Sequence, residues 1–402
     1  GAMDGTHQVL IVGGGLVGAS LALALDRAGV PATLVEAAPS PLPEVFDQRN
    51  LSLAETTVNA LTRLGVVARL RAPAGEIGRI HASRRGDFGR VLLDARDYGR
   101  DRFGLVVVAR DLGHALEDAL AATSHLRRLR ARVTGVGQVA GGVREVRVAD
   151  ADGERGLRAR LVVAADGTTS RVRQALGIAT EVHDYRQHLF VARLRTARAP
   201  AGTAWERLGD EGPTALLPRG DGAWGLVHGV AADQADAVDA MPDHAFLARV
   251  QDAFGWRVGR FLEAGPRSRY PLQRVVARRT TAARAVLVGN AAQTIHPIGA
   301  QGFNLGLRDA LALAELVADA PDPGDDALLE AYAARRAPDR ERTLAFSDGL
   351  ARLTANPAPL LRPLRSLGLL ALDRVPSLQA LLAGGAMGYR GDVPALCRGG
   401  PA

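Results

Sequence analysis

The stretch that most restricts this chain is Gly13-x-Gly15-x-x-Gly18, which follows an apolar run, Val9-Leu10-Ile11-Val12, and opens an Ala/Leu-rich segment reaching about Ala28. Strand, glycine turn and helix in that order form a nucleotide cradle. The first glycine permits the tight turn, the second lets a pyrophosphate reach the backbone, and the third lets helix and strand pack closely. A second strand over Ala32 to Glu36 closes a βαβ unit. Glu36 stands 18 residues beyond Gly18, where a carboxylate accepts from a ribose 2′-hydroxyl and repels a 2′-phosphate. The pattern predicts an α/β, Rossmann-type dinucleotide site using Gly13, Gly15, Leu16, Val17, Gly18, Glu36 and Ala37. By itself it does not separate NAD from FAD.

A second glycine-rich handover lies at "VGNAAQTIHPIGAQGFNLG", residues 288 to 306. Strand residues run into Gly289-Asn290, then His296-Pro297, then Gly299, Ala300, Gln301 and Gly302, with a helix predicted from Phe303 and Asn304 to Ala318. Bare backbone admits close approach, and the helix start offers unpaired N–H groups and partial positive charge. The spacing predicts a flat, electron-rich or anionic ligand on this loop. Asn290 reads either as an acceptor for a ligand hydroxyl or as a turn residue. His296, held extended by Pro297, is a candidate catalytic residue, with a structural loop histidine as the alternative.

The net charge of +7 would fit an anionic partner, but all 50 basic residues are arginine and they are dispersed. Aromatic residues make up 4%, too few for a stacking platform, so nucleic-acid binding is set aside. Without lysine, Schiff-base chemistry and a Walker-type phosphate loop are excluded. One cysteine, Cys397, permits no intramolecular disulfide or cysteine metal site. Gly1-Ala2-Met3 resembles a protease-cleavage scar, and no run approaches a membrane span; a cytoplasmic protein is expected.

From about Tyr185 to Tyr270 the texture changes to short alternating segments between Gly, Pro and Asp turns, such as "GAWGLVHG", which predict an antiparallel sheet. The α/β texture returns at Ala285. The expected architecture is therefore a discontinuous nucleotide-binding domain (4–75, 100–182 and 273–330) interrupted by a sheet domain (76–99 and 183–272), with C-terminal helices over 331–392. Leu360 to Leu382, leucine-rich with interspersed arginines, reads as core, dimer surface or an amphipathic rim facing a membrane.

"LVVAADGTTSRVRQALG" carries Asp166-Gly167, Ser170 and Arg173, and "VVVARDLGHAL" carries Arg110. With the two glycine motifs, this set resembles the flavoprotein aromatic hydroxylases of the para-hydroxybenzoate hydroxylase type over nearly the whole chain. "FDQRNLSLAETTVNALTRLG", with Asp47 and Arg49, and "GPTALLPRGDGAWGLVHG" are most similar to the ubiquinone-biosynthesis hydroxylases, and Asn290 to the branch acting on 2-polyprenyl-6-methoxyphenol. Gly299-Ala300 departs from the family order Ala-Gly.

The resemblance implies FAD as cofactor, NAD(P)H as a transient reductant and ring hydroxylation through a flavin C4a-hydroperoxide. It implies Arg49 near the flavin, Arg110 at the pyrophosphate, Val133 by the adenine, and the 299–303 loop under the flavin pyrimidine. The partners implied are O₂ and a hydrophobic polyprenylphenol. Peripheral contact with the inner membrane, a quinone-synthesis complex and a homodimer are further expectations. A nicotinamide dehydrogenase would leave Asp166-Gly167 and the 288–306 loop without a purpose. A flavin halogenase would need a lysine.

Overall fold

A computed structural model of the chain describes residues 5–37, 49–86, 90–295, 301–355 and 391–399. The run that precedes the glycine turn is buried on both sides: Val9 and Ile11 enter one core, Leu10 and Val12 another. Burial of successive residues on opposite faces is what a central strand of a parallel sheet requires. Strand Thr6–Val12 is that strand, flanked in parallel by Ala32–Glu36 and Gly153–Ala164. Leu126–Arg130 and Ala285–Leu287 extend the sheet on its two sides. Arg132–Ala140 and Val143–Asp150 form an antiparallel excursion on the outer half of Gly153–Ala164. Helices Leu16–Arg27, Ala109–Leu120 and Gln301–Ala318 supply Leu21, Leu112, Leu116 and Leu311 to the core on one face.

The second sheet has nine strands and is antiparallel except where Thr203–Leu208 runs parallel to Arg79–Arg84. Its spine is the 17-residue strand Thr180–Thr196, paired with Trp224–Ala231 on one side and Ser268–Ala277 on the other. Strands Arg79–Arg84 and Arg90–Asp94 join this sheet from far upstream. A small third sheet, Asn50–Ala54, Gly104–Val108 and Gly75–Ile77, lies beside them. The fold is mixed α/β, with a parallel Rossmann-like sheet and a large antiparallel one.

The reading of 185–270 as strands alone is corrected by helices Ala235–Asp239 and Asp243–Phe254. Phe246, Val250 and Phe254 recur every four residues, a helical period, and pack on Trp224 and Leu226. The helix expected from Phe303 begins at Gln301. A 30-residue helix, Asp326–Ala355, follows with Pro338 inside it. Segment 391–399 docks on helix Glu55–Arg63, where Asn59 Nδ2 donates to the Cys397 carbonyl (3.0 Å) and the thiol is buried. Among the described residues no helix is long and apolar enough to cross a membrane. Leu360 to Leu382 lies outside the described residues.

Candidate functional site

The glycine loop separates into two kinds of glycine. Gly13 has φ of +110°, and a Cβ there would stand 2.2 Å from the Ala165 carbonyl oxygen. A Cβ on Gly14 would meet the Glu36 carboxylate at 2.1 Å, and one on Gly18 the Gly13 carbonyl oxygen at 2.0 Å. These three are bare because the chain itself crowds them. Gly15 is different: a Cβ there would meet nothing within 4 Å. Its bareness serves only what enters from outside the chain. Behind it helix Leu16–Arg27 starts with no side-chain cap, leaving its first N–H groups available to an anion.

A cavity of about 840 Å³ opens over this loop. It brings together Gly13, Gly15, Leu16, Val17, Ala37, Arg49, Arg110, Asp166, Gly167, Asn290, Gly302 and Phe303, residues gathered from across the chain. Its far wall is the antiparallel sheet, through Val191, Val227, Tyr270, Gln273 and Val275, which sequence reasoning did not single out. Arg49 lies over the Tyr270 ring at 5.9 Å, linking the two walls. Val133 sits apart, in an adjoining hollow of about 270 Å³ that shares Gly13, Ala37 and Asp166 with the main cavity.

Behind Gly14, the carboxylate of Glu36 is not alone. Arg128 Nη2 donates to Glu36 Oε2 (2.8 Å) and to Glu117 Oε2 (2.9 Å), so one guanidinium joins two acids beside the cavity. The Glu117 hydrogen bond, aided by Glu36 and against burial, holds that guanidinium firmly protonated. Glu36 Oε2 is engaged, while Oε1 is the atom nearest Gly14.

Asp166 is mainly a cap: it accepts from Ser170 Oγ and from the N–H groups of Arg171 (3.1 Å) and Val172 (3.4 Å). That fixes the turn in which Gly167, at φ of +87°, exposes its backbone to the cavity. Arg173, 5% exposed, donates to the Ala291 carbonyl (3.0 Å) and the Thr168 carbonyl (2.7 Å), and Thr168 Oγ1 lies 2.7 Å from Thr294 Oγ1. The Asp-Gly turn and the Gly289–Thr294 turn are therefore one clamped unit. Burial pulls the Arg173 pKa down from its ordinary value, against the Asp166 charge.

Gly289, at φ of +64°, packs where a Cβ would stand 3.1 Å from Val17, and Gly306 fills the same junction. Asn290 is exposed to the cavity. Asn304 turns elsewhere: it is buried, accepts from the Ala54 N–H (3.0 Å) and Thr57 Oγ1 (2.5 Å), and donates to the Ser52 carbonyl (3.0 Å). Its side chain pins strand Asn50–Ala54, which supplies Asn50, Leu51 and Ser52 to the cavity. Gln301 begins the helix that presents Gly302 and Phe303. His296, Pro297, Gly299 and Ala300, like Asp47, lie outside the described residues.

Below the turn, Gln293 Nε2 donates to Asp309 (2.9 Å), Asp309 accepts from Arg336 (2.7 Å), and Arg308 pairs with Asp339 (2.7 Å), all buried. An Arg-Asp pair inside the apolar helix stretch "NLGLRDALALAEL" was the available signal, since buried charges require partners.

The residues present fit a dinucleotide cofactor. The open face at Gly15 and the uncapped helix start lie along one cavity, of the size class that takes ligands, and the Glu36 carboxylate stands directly behind its lining residue Gly14.

Comparison with known proteins agrees. The chain belongs to the family described as FAD binding domain, whose model matches residues 6–347. The ubiquinone hydroxylase UbiL of Rhodospirillum rubrum is 35% identical over 413 residues, covering 100% of this chain and 95% of that protein. The 3-demethoxyubiquinol 3-hydroxylase of Escherichia coli is 31% identical, covering 92% of this chain and 96% of that protein. Among solved structures, p-nitrophenol 4-monooxygenase PnpA from Pseudomonas putida DLL-E4 matches with a TM-score of 0.79 at 20% identity, covering 96% of this chain and 100% of that one. The enzyme class follows: an FAD-dependent monooxygenase.

Proposed function

We propose that this enzyme hydroxylates the ring of a polyprenylated methoxyphenol in ubiquinone biosynthesis, using O₂ and electrons from NAD(P)H. One observation carries the reading: a single cavity joins the dinucleotide loop to an apolar sheet face, Val191, Val227 and Val275. A hydrophobic aromatic substrate fits that wall. When bound, FAD supplies the activation of O₂ and the transfer of one oxygen atom. The chain's part is to hold and enclose. Gly13, Gly15 and the start of helix Leu16–Arg27 bind the pyrophosphate, assisted by Arg110. Glu36, fixed by Arg128, accepts from the ribose. The clamped turns at Gly167 and Asn290 and the helix start at Gly302 direct N–H groups at the ring system, where they would stabilise negative charge. The antiparallel sheet excludes water from the reacting face.

In this reading the cofactor unit comprises 4–75, 100–182 and 273–330, and the substrate unit 76–99 and 183–272. The relatives named above support ubiquinone chemistry; the choice of the methoxyphenol ring position rests on the likeness of the Asn290 stretch to that branch. Complementation of strains blocked at each ring-hydroxylation step tests it. Rescue of the methoxyphenol step is expected, and rescue confined to 3-demethoxyubiquinol hydroxylation would overturn the assignment. Purified protein without a yellow flavin chromophore would overturn the cofactor.

A further inference from the structure

One carboxylate on the cavity side of the antiparallel sheet has no part in the scheme above. Directly opposed residues on paired strands share a face. The register sets Val191 opposite Val227, Val227 opposite Ala215, and Ala215 opposite Glu206. Val191 and Val227 line the cavity; Glu206, just outside that lining, rises from the same face two strands further on, about 10 Å from Val227 at the usual strand spacing. On its other side it is level with Ala82. Both flanking residues are alanines, so no bulky side chain separates Glu206 from the valine wall. Further along this face come the apolar Ala204, Leu217 and Ile80, and the buried Arg84, which donates to Asp210 (3.1 Å).

Glu206 is half-buried, and among the described residues no hydrogen bond or ion pair engages its carboxylate. Burial alone pushes the group up to about 7. A carboxylate partly withdrawn from water without a partner costs stability, and such a cost is characteristic of sites where a ligand supplies the missing donor. Directly opposite Val191 on this face stands Ser268, which offers a hydroxyl but no charged acceptor.

We propose that Glu206 is a substrate-contacting residue that accepts a hydrogen bond from the ring hydroxyl of the phenol. This rests on the reading of the protein as a phenol hydroxylase and names the group that orients the ring. With the hydroxyl anchored at Glu206, the ring lies along the alanine gap against Val227, with its opposite edge toward Asn290 and Gly302. A hydroxyl that donates to a carboxylate also gains electron density in its ring, which favours attack on an electrophilic oxygen.

The test compares binding of a 2-methoxy-6-alkylphenol and of its methyl ether, which lacks the donor, to the oxidised FAD-loaded protein. Binding is followed by perturbation of the flavin absorption with no reductant present. At pH 8.5, above the titration of Glu206, the wild type is expected to bind the phenol at least about tenfold more tightly than the ether, the scale of a hydrogen bond to a charged acceptor. Glu206→Leu should bring the ratio near one without changing FAD content. Should that variant fail to fold, the isosteric Glu206→Gln reads the same ratio, with a fall to about threefold expected. A wild-type ratio in either variant would overturn the assignment. Because no turnover is measured, a discriminating wild type that forms no hydroxylated product would count against the proposed function alone.

Discussion

Gly15 and Gly18 are three positions apart and look alike in the motif, yet their surroundings predict opposite failures. Gly15→Val meets empty space within the chain, so the fold should survive with its melting temperature nearly unchanged while FAD is lost. Gly18→Val drives a side chain into the Gly13 carbonyl, so helix and strand must separate and stability itself should fall. Thermal melts and flavin content of the two purified variants check this, and full flavination of Gly15→Val would mean that the pyrophosphate lies elsewhere. Glu36→Ala should weaken FAD binding by about 1–3 kcal/mol, measured as a dissociation constant. The fold should tolerate that change, because Arg128 keeps Glu117. Two titrating groups in the antiparallel sheet give a pH signature of opposite signs. The folded Glu206 carboxyl titrates at about 7 against an ordinary 4.5, so between those values the folded state holds a proton that the unfolded chain has released. Its contribution is present below about 4.5 and is lost as pH rises through 7. His228, kept neutral by burial and by Arg249, is held down to about 3 from 6.5, so stability falls as pH drops through that window. Glu206→Gln should flatten the decline of melting temperature toward neutral pH, and His228→Gln should flatten part of the acid decline.

At the scale of elements, helices Gln301–Ala318 and Asp326–Ala355 meet through charges as well as leucines. Asp339, 1% exposed, faces both Arg308 and Arg336 at 2.7 Å. Asp339→Ala would strand the buried Arg308 guanidinium, leave Arg336 with Asp309 alone, and should cost about 3–5 kcal/mol in urea unfolding. Pairing it with Arg308→Met should recover part of the loss, since one orphaned charge is then gone; an additive double variant would show that the pair is not coupled. Elements with strong local period were legible in the sequence: the βαβ unit, helix Ala109–Leu120 with Leu112, Leu116 and Leu120, and the helix after the 288–306 loop. Helix Asp243–Phe254 was not, because it sits among turn-rich strands and its apolar stripe is short. Residues 76–99 were assigned to the sheet domain from sequence, but the pairing of strand Arg79–Arg84 with Thr203–Leu208 is set by long-range register that no local pattern encodes.

At the scale of the molecule, the motifs disclosed which residues are bare or charged, and the fold disclosed what each is near. Asn304 shows the limit most plainly. Its place beside Gly302 and Phe303 pointed at the cofactor, yet its amide is spent on Ser52, Ala54 and Thr57. The wall of Val191, Val227 and Tyr270 was legible only as generic strand, since apolar residues on a sheet carry no label for the face they share.

The docking of 391–399 has a practical consequence. The chain has one thiol, Cys397, which is buried and pushed up to about 12 by burial, so a thiol reagent can react only when the segment lifts from helix Glu55–Arg63. The rate of single-site labelling is thus a clock for that local opening, readable in the unmodified protein. Helix Glu55–Arg63 continues directly from strand Asn50–Ala54 at the cavity, so slower labelling on loading with FAD would measure how far the cofactor tightens the chain beyond its own contacts.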